Sequence, residues 1–408
     1  MKRIESADAV RGFSLLGIFM ANLLIFQFGL SGKDHMEYYD LNGINEFVFK
    51  TVKVIFEGSF LPIFAVLFGF SMDKLFQSMK NKEMKWKRFK LLSRAAGIII
   101  LGLLHSYFIW EGDILLAYGI AMIIFIPFIS LPKWFFRIVT ILLAAGLILI
   151  TAASFFLPAE PVENTGSAVS AEDEQEYMSA LTEVYSSGNY GEILDARQNL
   201  EDPFFTEEME AIDGAGVLIL LIGMLMPAMF YAVGVYLSKA GWFSKSANHF
   251  WSSKIFIYLI PVSIILKSSI YWMNNEEIAY SLNFMFALIL SFGLMSLIKY
   301  IYQFHENSSL ITGLKSMGKL SLTIYIMQSL IGTTIFYGYG FGMFGSDMFA
   351  LSAVIFIVFY ILQMILAVWY LKHFTYGPLE YLLRTVTYMN FRKKKWNRDM
   401  KSSEEYSN

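Results

Sequence analysis

No cysteine occurs in the 408 residues, which excludes disulfides, thiolate metal sites and a cysteine nucleophile. Charge is also scarce: Asp, Glu, Lys and Arg make up 16% of the chain, against about 25% in an ordinary soluble domain. The net charge of −2 offers no basic excess to neutralise phosphates, so no nucleic-acid partner is expected. A Gly-x-x-x-x-Gly-Lys-Ser/Thr loop is missing, and with it any sign of ATP hydrolysis by this chain. There is no His-Glu-x-x-His cluster, so a zinc site built by the protein is not expected.

What is abundant is apolar sequence. Hydrophobic residues reach 56% and aromatics 17%, and the mean hydropathy is +0.51. A hydrocarbon core about 30 Å thick needs about 20 apolar residues per helical span. Ten such runs are found, near 10–29, 54–72, 91–110, 113–130, 134–157, 214–238, 255–272, 279–302, 320–338 and 348–371. Runs such as Ala95 to Leu104 do not alternate as barrel strands must. The expected fold is therefore all-α, a polytopic membrane helix bundle with about ten transmembrane helices.

Lys and Arg are concentrated on one side. With the N-terminus inside, the inner segments hold 23 basic residues and the outer ones only Lys33, Lys50, Lys53 and Arg197. Both termini are then cytoplasmic by the positive-inside rule. A cleaved secretory signal is not expected, because Glu5, Asp8 and Arg11 crowd the start and no small-x-small site follows.

Four regions result: five helices in 1–157, an acidic outer segment in 158–213, five more helices in 214–371, and a basic cytoplasmic tail in 372–408. The acidic segment carries fifteen carboxylates and one cation, Arg197. From Ser170 onward, Tyr177, Leu181, Val184 and Tyr185 recur at helical spacing, which predicts one or two helices over the outer mouth. Solvated spacer and lid are equally open readings. A local salt bridge is the expected role of Arg197. The Arg392–Lys395 run reads as an anchor attracted to anionic lipid.

Ionisable groups inside a bilayer point to function, because burying them demands a partner or a wet cavity. Of five histidines only His105 falls within a span. It lies about 21 Å from the inner start of its helix at 1.5 Å per residue. The turn Trp110-Glu111-Gly112-Asp113 brings Asp113 to the same level, where a carboxylate can orient an imidazole for proton abstraction. Asp113 is equally well placed to cap the next helix. Asn22 and Glu57 reach a similar depth, so four helices converge on one polar level.

Arg11 and Asn22 are eleven residues apart, as are Arg94 and His105; eleven residues leave about 20° of offset, so each pair shares a helix face. Such a stripe suits an anionic cytosolic molecule reaching outward, although arginines at helix ends commonly snorkel. Lys267 is expected to snorkel to the outside. Gln328 and Gln363 read as interhelical glue or pocket lining, and Gly12, Gly17, Gly97 and Gly102 as sites of close helix approach.

Several runs resemble a known family. Asp8-Ala9-Val10-Arg11-Gly12-Phe13-Ser14-Leu15-Leu16-Gly17-Ile18 with Asn22, then Phe60 to Gly69, then Gly102-Leu103-Leu104-His105 and Trp110 to Gly119 all resemble the YeiB-like bacterial membrane proteins (domain of unknown function 418). So do Gly318 to Tyr325, Gln328, Trp369, Gly377-Pro378-Leu379-Glu380, Arg384 and Thr387.

That family is grouped with transmembrane acyltransferases, including the lysosomal heparan glucosaminide N-acetyltransferase, whose first-span pattern is similar to Arg11-Gly12 with Asn22. The catalytic histidine of that enzyme lies in the loop after its first span. This chain has Lys33 there and His35 two residues on, so His105 is the candidate here.

The resemblance implies a multi-pass protein of the bacterial plasma membrane that moves an acyl group from a cytosolic acyl-CoA to a cell-surface or exported acceptor. His105, Asp113 and Asn22 would be catalytic; Arg11, Arg94, Glu57 and Gln328 would bind donor or acceptor. Acyl-CoA would be a co-substrate, with no covalently bound cofactor. A proton-coupled exporter using His105 and Asp113, or a non-catalytic envelope protein, are the other readings of the same residues.

Overall fold

A computed structural model of the protein describes residues 4–156, 170–204, 229–244 and 250–389. Every regular element among them is helical. The order is α1 (Glu5–Phe28), a 3-10 turn (Met36–Tyr38), α2 (Ile44–Phe56), α3 (Leu61–Asn81), α4 (Lys87–Phe108), α5 (Leu115–Phe125) and α6 (Lys133–Phe156). There follow α7 (Ala171–Ser187), α8 (Tyr190–Asn199) and α9 (229–240). After these come α10 (Phe250–Lys267), α11 (Glu276–His305), α12 (Ser309–Lys319), α13 (Ser321–Phe336), α14 (Phe349–His373) and α15 (Pro378–Tyr388). Among the described residues, seven helical stretches are long and apolar enough to cross a membrane, with α5 and α13 as shorter apolar helices. The chain is an all-α, polytopic membrane bundle. Most of the sixth expected span with Pro227, the Pro158–Ala168 stretch, His249 and the Arg392–Lys395 run lie outside the described residues.

The helices depart from the expected spans where the backbone is interrupted. The second span is broken: Glu57 is extended, Gly58 takes a left-handed φ of 69°, and Pro62 sits in the first turn of α3, where its missing N–H costs nothing. Carbonyls freed at such a break need donors. Lys267 supplies one, with its ammonium donating to the Glu57 carbonyl at 2.6 Å and to Ser59 Oγ at 2.8 Å. It is fully buried, so the expectation that it snorkels is corrected: the opened backbone holds it inside.

Glycines set the closest helix contacts. A Cβ on Gly12 would lie 2.0 Å from the Leu314 carbonyl oxygen, and one on Gly318 would lie 1.9 Å from that of Asp8. The two glycines thus lock α1 against α12 along an antiparallel seam. Because α1 also packs on α13 and α14, helices from both halves of the chain share one core.

Within the stretch from 372, Pro378–Tyr388 forms α15, which docks on α4: Ser93 Oγ donates to the Val386 carbonyl at 2.9 Å, and Gly97 leaves room for Leu383 and Val386. Glu380 of α15 then caps the start of α13, accepting the Leu322 and Thr323 amides at 2.7 and 3.1 Å and the Thr323 hydroxyl at 2.6 Å.

Candidate functional site around His105

α4 carries His105 to its last turn and ends there, because the Ile109 and Trp110 amides both fold back onto the His105 carbonyl at 2.9 Å. The reversal places Asp113 beside the imidazole. His105 Nδ1 and Asp113 Oδ2 are 2.7 Å apart, and both side chains are buried. Asp113 Oδ1 meanwhile accepts the Leu116 amide at 2.9 Å. Orienting the imidazole and capping the helix are therefore one function of one carboxylate, with an oxygen for each.

The approach is possible because residue 102 is glycine. A Cβ there would stand 2.6 Å from the Leu116 nitrogen and 2.8 Å from Asp113 Oδ1. Against an ionised carboxylate, which only accepts, a neutral imidazole would donate from Nδ1 and present the Nε2 lone pair. Nε2 is buried with no hydrogen-bond partner among the described residues, and a free acceptor in this position is what a general base needs.

The opposite wall comes from α13. The Tyr325 ring lies 5.2 Å from the imidazole, and its hydroxyl accepts the Ile114 amide at 3.3 Å. Tyr325, Gln328 and Gly332 are spaced i, i+3, i+7 and share one face. Gly332 abuts the Phe26 ring, which lies 4.3 Å from that of Trp110. Gln328 is thereby held between the two contacts. It donates to Gln363 Oε1 at 3.2 Å, leaving Gln328 Oε1 and Gln363 Nε2 buried and unpartnered. Whichever way the two amides are turned, one donor and one acceptor stay free.

Asn22 lies one turn before Phe26 on the same face of α1 and is half-buried. Trp110 and Tyr325 stand in the motifs above with no role read from the sequence, and Gln363, expected as interhelical glue or pocket lining, pairs with Gln328. The i, i+3, i+7 stripe on α13 was the available signal for Tyr325.

Glu57 is engaged elsewhere. Its carboxylate pairs with Lys33 at 2.7 Å, in a cluster with Asp34 and Lys53. Burial works to lower the Lys33 pKa, but Glu57 and Asp34 outweigh it and the value is raised. Burial works to raise that of Asp34, but Lys33 and Lys53 outweigh it and the value is lowered. His35 stacks on Phe204 at 3.8 Å, well separated in role from His105.

At the other end of α1 and α4, Arg11 and Arg94 sit about two turns inside their helices, which begin at Glu5 and Lys87, rather than at the ends. Arg11 pairs with Asp8 at 3.0 Å and donates to Ser71 Oγ at 2.6 Å. Arg94 is half-buried and lies within electrostatic range of both Arg11 and Glu380.

α7 and α8 cover the His105 turn. Each opens with a capping box, at Ser170 and Asn189. Arg197 pairs with Glu111 at 2.9 Å and donates to the Ile109 carbonyl at 3.2 Å. The Tyr185 hydroxyl donates to Glu111 at 3.2 Å, and that of Tyr190 to the Phe108 carbonyl at 2.8 Å. Burial opposes the Arg197 charge, but Glu111 outweighs it and the pKa is raised. The salt bridge expected of Arg197 is present, with a partner outside its own segment. No group of three or more His, Asp or Glu able to hold a metal occurs among the described residues.

Comparison with known proteins places this site in a family context. Residues 3–164 match the model "Heparan-alpha-glucosaminide N-acetyltransferase, catalytic", and residues 237–390 match "Protein of unknown function (DUF418)". The chain is 25% identical over 399 residues to "Uncharacterized protein YxaH" of Bacillus subtilis (strain 168), covering 96% of this chain and 95% of that protein. It is 25% identical over 405 residues to "Uncharacterized protein YeiB" of Escherichia coli (strain K12), covering 95% and 97% respectively. An uncharacterized 39.9 kDa protein of Bacillus acidopullulyticus matches at 25% over 395 residues, with 95% and 94% covered.

Proposed function

We propose that this YeiB-like DUF418 membrane protein is an acyltransferase of the bacterial plasma membrane, with both termini cytoplasmic. In this reading it passes an acyl group from an acyl-CoA-type donor inside to a hydroxyl or amine of an extracytoplasmic or cell-surface acceptor. The observation that carries the reading is the buried His105–Asp113 pair, with Nε2 unpartnered, in the half of the chain that matches an acetyltransferase catalytic model.

His105 Nε2 takes the acceptor's proton as the acceptor atom attacks the thioester carbon, and the carbonyl π pair moves onto oxygen. Collapse of that adduct breaks the C–S bond, and the leaving thiolate takes the proton back from the imidazolium. Asp113 holds the ring in the tautomer that makes Nε2 the base. Asn22 and the free amide groups of Gln328 and Gln363 bind acceptor or developing oxyanion. Arg11 and Arg94 neutralise donor phosphates. Glu57, bound to Lys33, has no part in the step.

The test is transfer of label from radioactive acetyl-CoA to envelope acceptors by wild type and His105→Ala in liposomes. Label with wild type and loss with His105→Ala is expected. Equal product from the two, or proton-driven flux of an unmodified solute, would overturn the reading.

A further inference from the structure

Trp110 belongs to the turn that carries Asp113, yet the reaction as written leaves it idle. Its side chain is fully buried, and its indole Nε1–H has no acceptor among the described residues. A buried donor left unpaired is costly, because its lost hydration is not replaced, so such a group calls for a reason. The ring is held on three sides. Its centroid lies 4.3 Å from Phe26, its benzo edge fills the space left by Gly112, where a Cβ would stand 2.4 Å away, and its own amide is bonded to the His105 carbonyl. That backbone bond ties the Trp110 and His105 side chains together, with ring centroids 6.5 Å apart.

We infer that Trp110 is a further catalytic residue whose indole N–H binds the carbonyl oxygen of the donor thioester. The inference rests on the acyl-transfer reading above. Indole nitrogen donates and cannot accept, so its ligand must offer an acceptor oxygen. It must also tolerate an apolar neighbour, since the Phe26 ring packs on the indole. A thioester carbonyl meets both conditions. With the carbonyl oxygen on Nε1–H and the acceptor's O–H or N–H on His105 Nε2, the nucleophile and the carbon it attacks are brought face to face. As the C=O pair moves onto oxygen, the N–H meets growing negative charge; when the C–S bond breaks, the charge returns to a neutral carbonyl and the N–H keeps its proton throughout.

The test uses the full-length protein in liposomes. Trp110→Phe removes the donor together with part of the ring that fills the space at Gly112; β-(3-benzothienyl)alanine at position 110, isosteric but without N–H, deletes the donor alone. The expected loss in kcat is about 10²–10³-fold, the effect of removing one oxyanion donor, with the acceptor KM little changed. Binding of acetonyl-CoA, which keeps the carbonyl, should weaken in the variant, while that of ethyl-CoA, which lacks it, should not. Unchanged kcat, or equal weakening of both analogues, would overturn the role while leaving His105 chemistry intact. If neither analogue binds wild type, the donor reading falls and this inference falls with it.

Discussion

His105 Nδ1 and Asp113 Oδ2 stand 2.7 Å apart, and the second oxygen of the same carboxylate caps α5 at the Leu116 amide, 2.9 Å away. One side chain thus couples the setting of the His105 imidazole to the integrity of the helix that follows, and the two roles can be separated by substitution.

Asp113→Asn keeps a capping oxygen but loses the charged acceptor that fixes the imidazole tautomer. Acyl transfer should fall by about 10²–10⁴-fold, the range of general-base effects, while stability changes by less than about 1 kcal/mol. Asp113→Ala should lose both. Initial rates and thermal melting on the same preparations make the comparison; equal rates for Asp113→Asn and wild type would exclude an orienting role.

Gly102 and Gly97 lie on one helix but face different neighbours. A methyl at Gly102 meets backbone and the Asp113 carboxylate at 2.6–2.8 Å, which cannot yield, so Gly102→Ala should cost roughly 1–3 kcal/mol and most of the activity. A methyl at Gly97 meets side-chain carbons of Leu383 and Val386 at 3.1 and 3.2 Å, which can shift. Gly97→Ala should therefore be the milder change in both melting temperature and rate; the reverse order would contradict the contact geometry.

Glu380 joins the C-terminal helix to the helix that carries Tyr325 and Gln328. Glu380→Ala strips the cap from α13 and should destabilise by about 0.5–2 kcal/mol, with a secondary loss of rate as Tyr325 and Gln328 loosen. Glu380→Gln retains an acceptor for the Leu322 and Thr323 amides and should stay close to wild type. Melting curves of the two variants give the answer, and matched losses would point to charge rather than capping.

The Arg197–Glu111 pair docks α7 and α8 on the His105 turn. Because both partners are largely buried, a double-mutant cycle with Arg197→Gln and Glu111→Gln should show coupling of about 1–3 kcal/mol, as for hydrogen bonds to charged groups. Amide exchange in 171–199 should rise in either single variant. A coupling near zero would mean that Tyr185 and Tyr190 alone hold these helices.

Acid should weaken the Lys33, Asp34, Lys53 cluster. The folded-state pKa of Asp34 lies below its ordinary 3.8, so its stabilisation is complete above pH 3.8 and is lost as the pH falls through the folded value. Lys33 behaves oppositely: its pKa is raised above 10.5, so its contribution holds below that and fades only at higher pH. Asp34→Asn should flatten the fall in melting temperature below pH 4 and leave the neutral range lower than wild type. An unchanged acid limb would assign that fall to other carboxylates.

Much of this arrangement can be read from residue order alone. A 20-residue apolar run has no stable option in lipid other than a helix, so the all-α class and most spans follow from composition. The pairing of His105 with Asp113 also follows, because an eight-residue separation across a tight turn leaves little freedom.

Tertiary structure decided the rest, since it depends on partners distant in sequence. Lys267 turns inward because the break at Glu57 and Gly58 frees a carbonyl that only a helix some 200 residues later can reach. Arg197 finds Glu111 across the polar segment, Glu380 caps a helix 57 residues earlier in the chain, and Gln328 meets His105's surroundings only through the Gly332–Phe26 and Tyr325–His105 contacts. A helix in a bilayer is specified locally by its backbone hydrogen bonds; which of its faces meets which neighbour is settled by packing among small residues and by the few polar groups that must find one another inside.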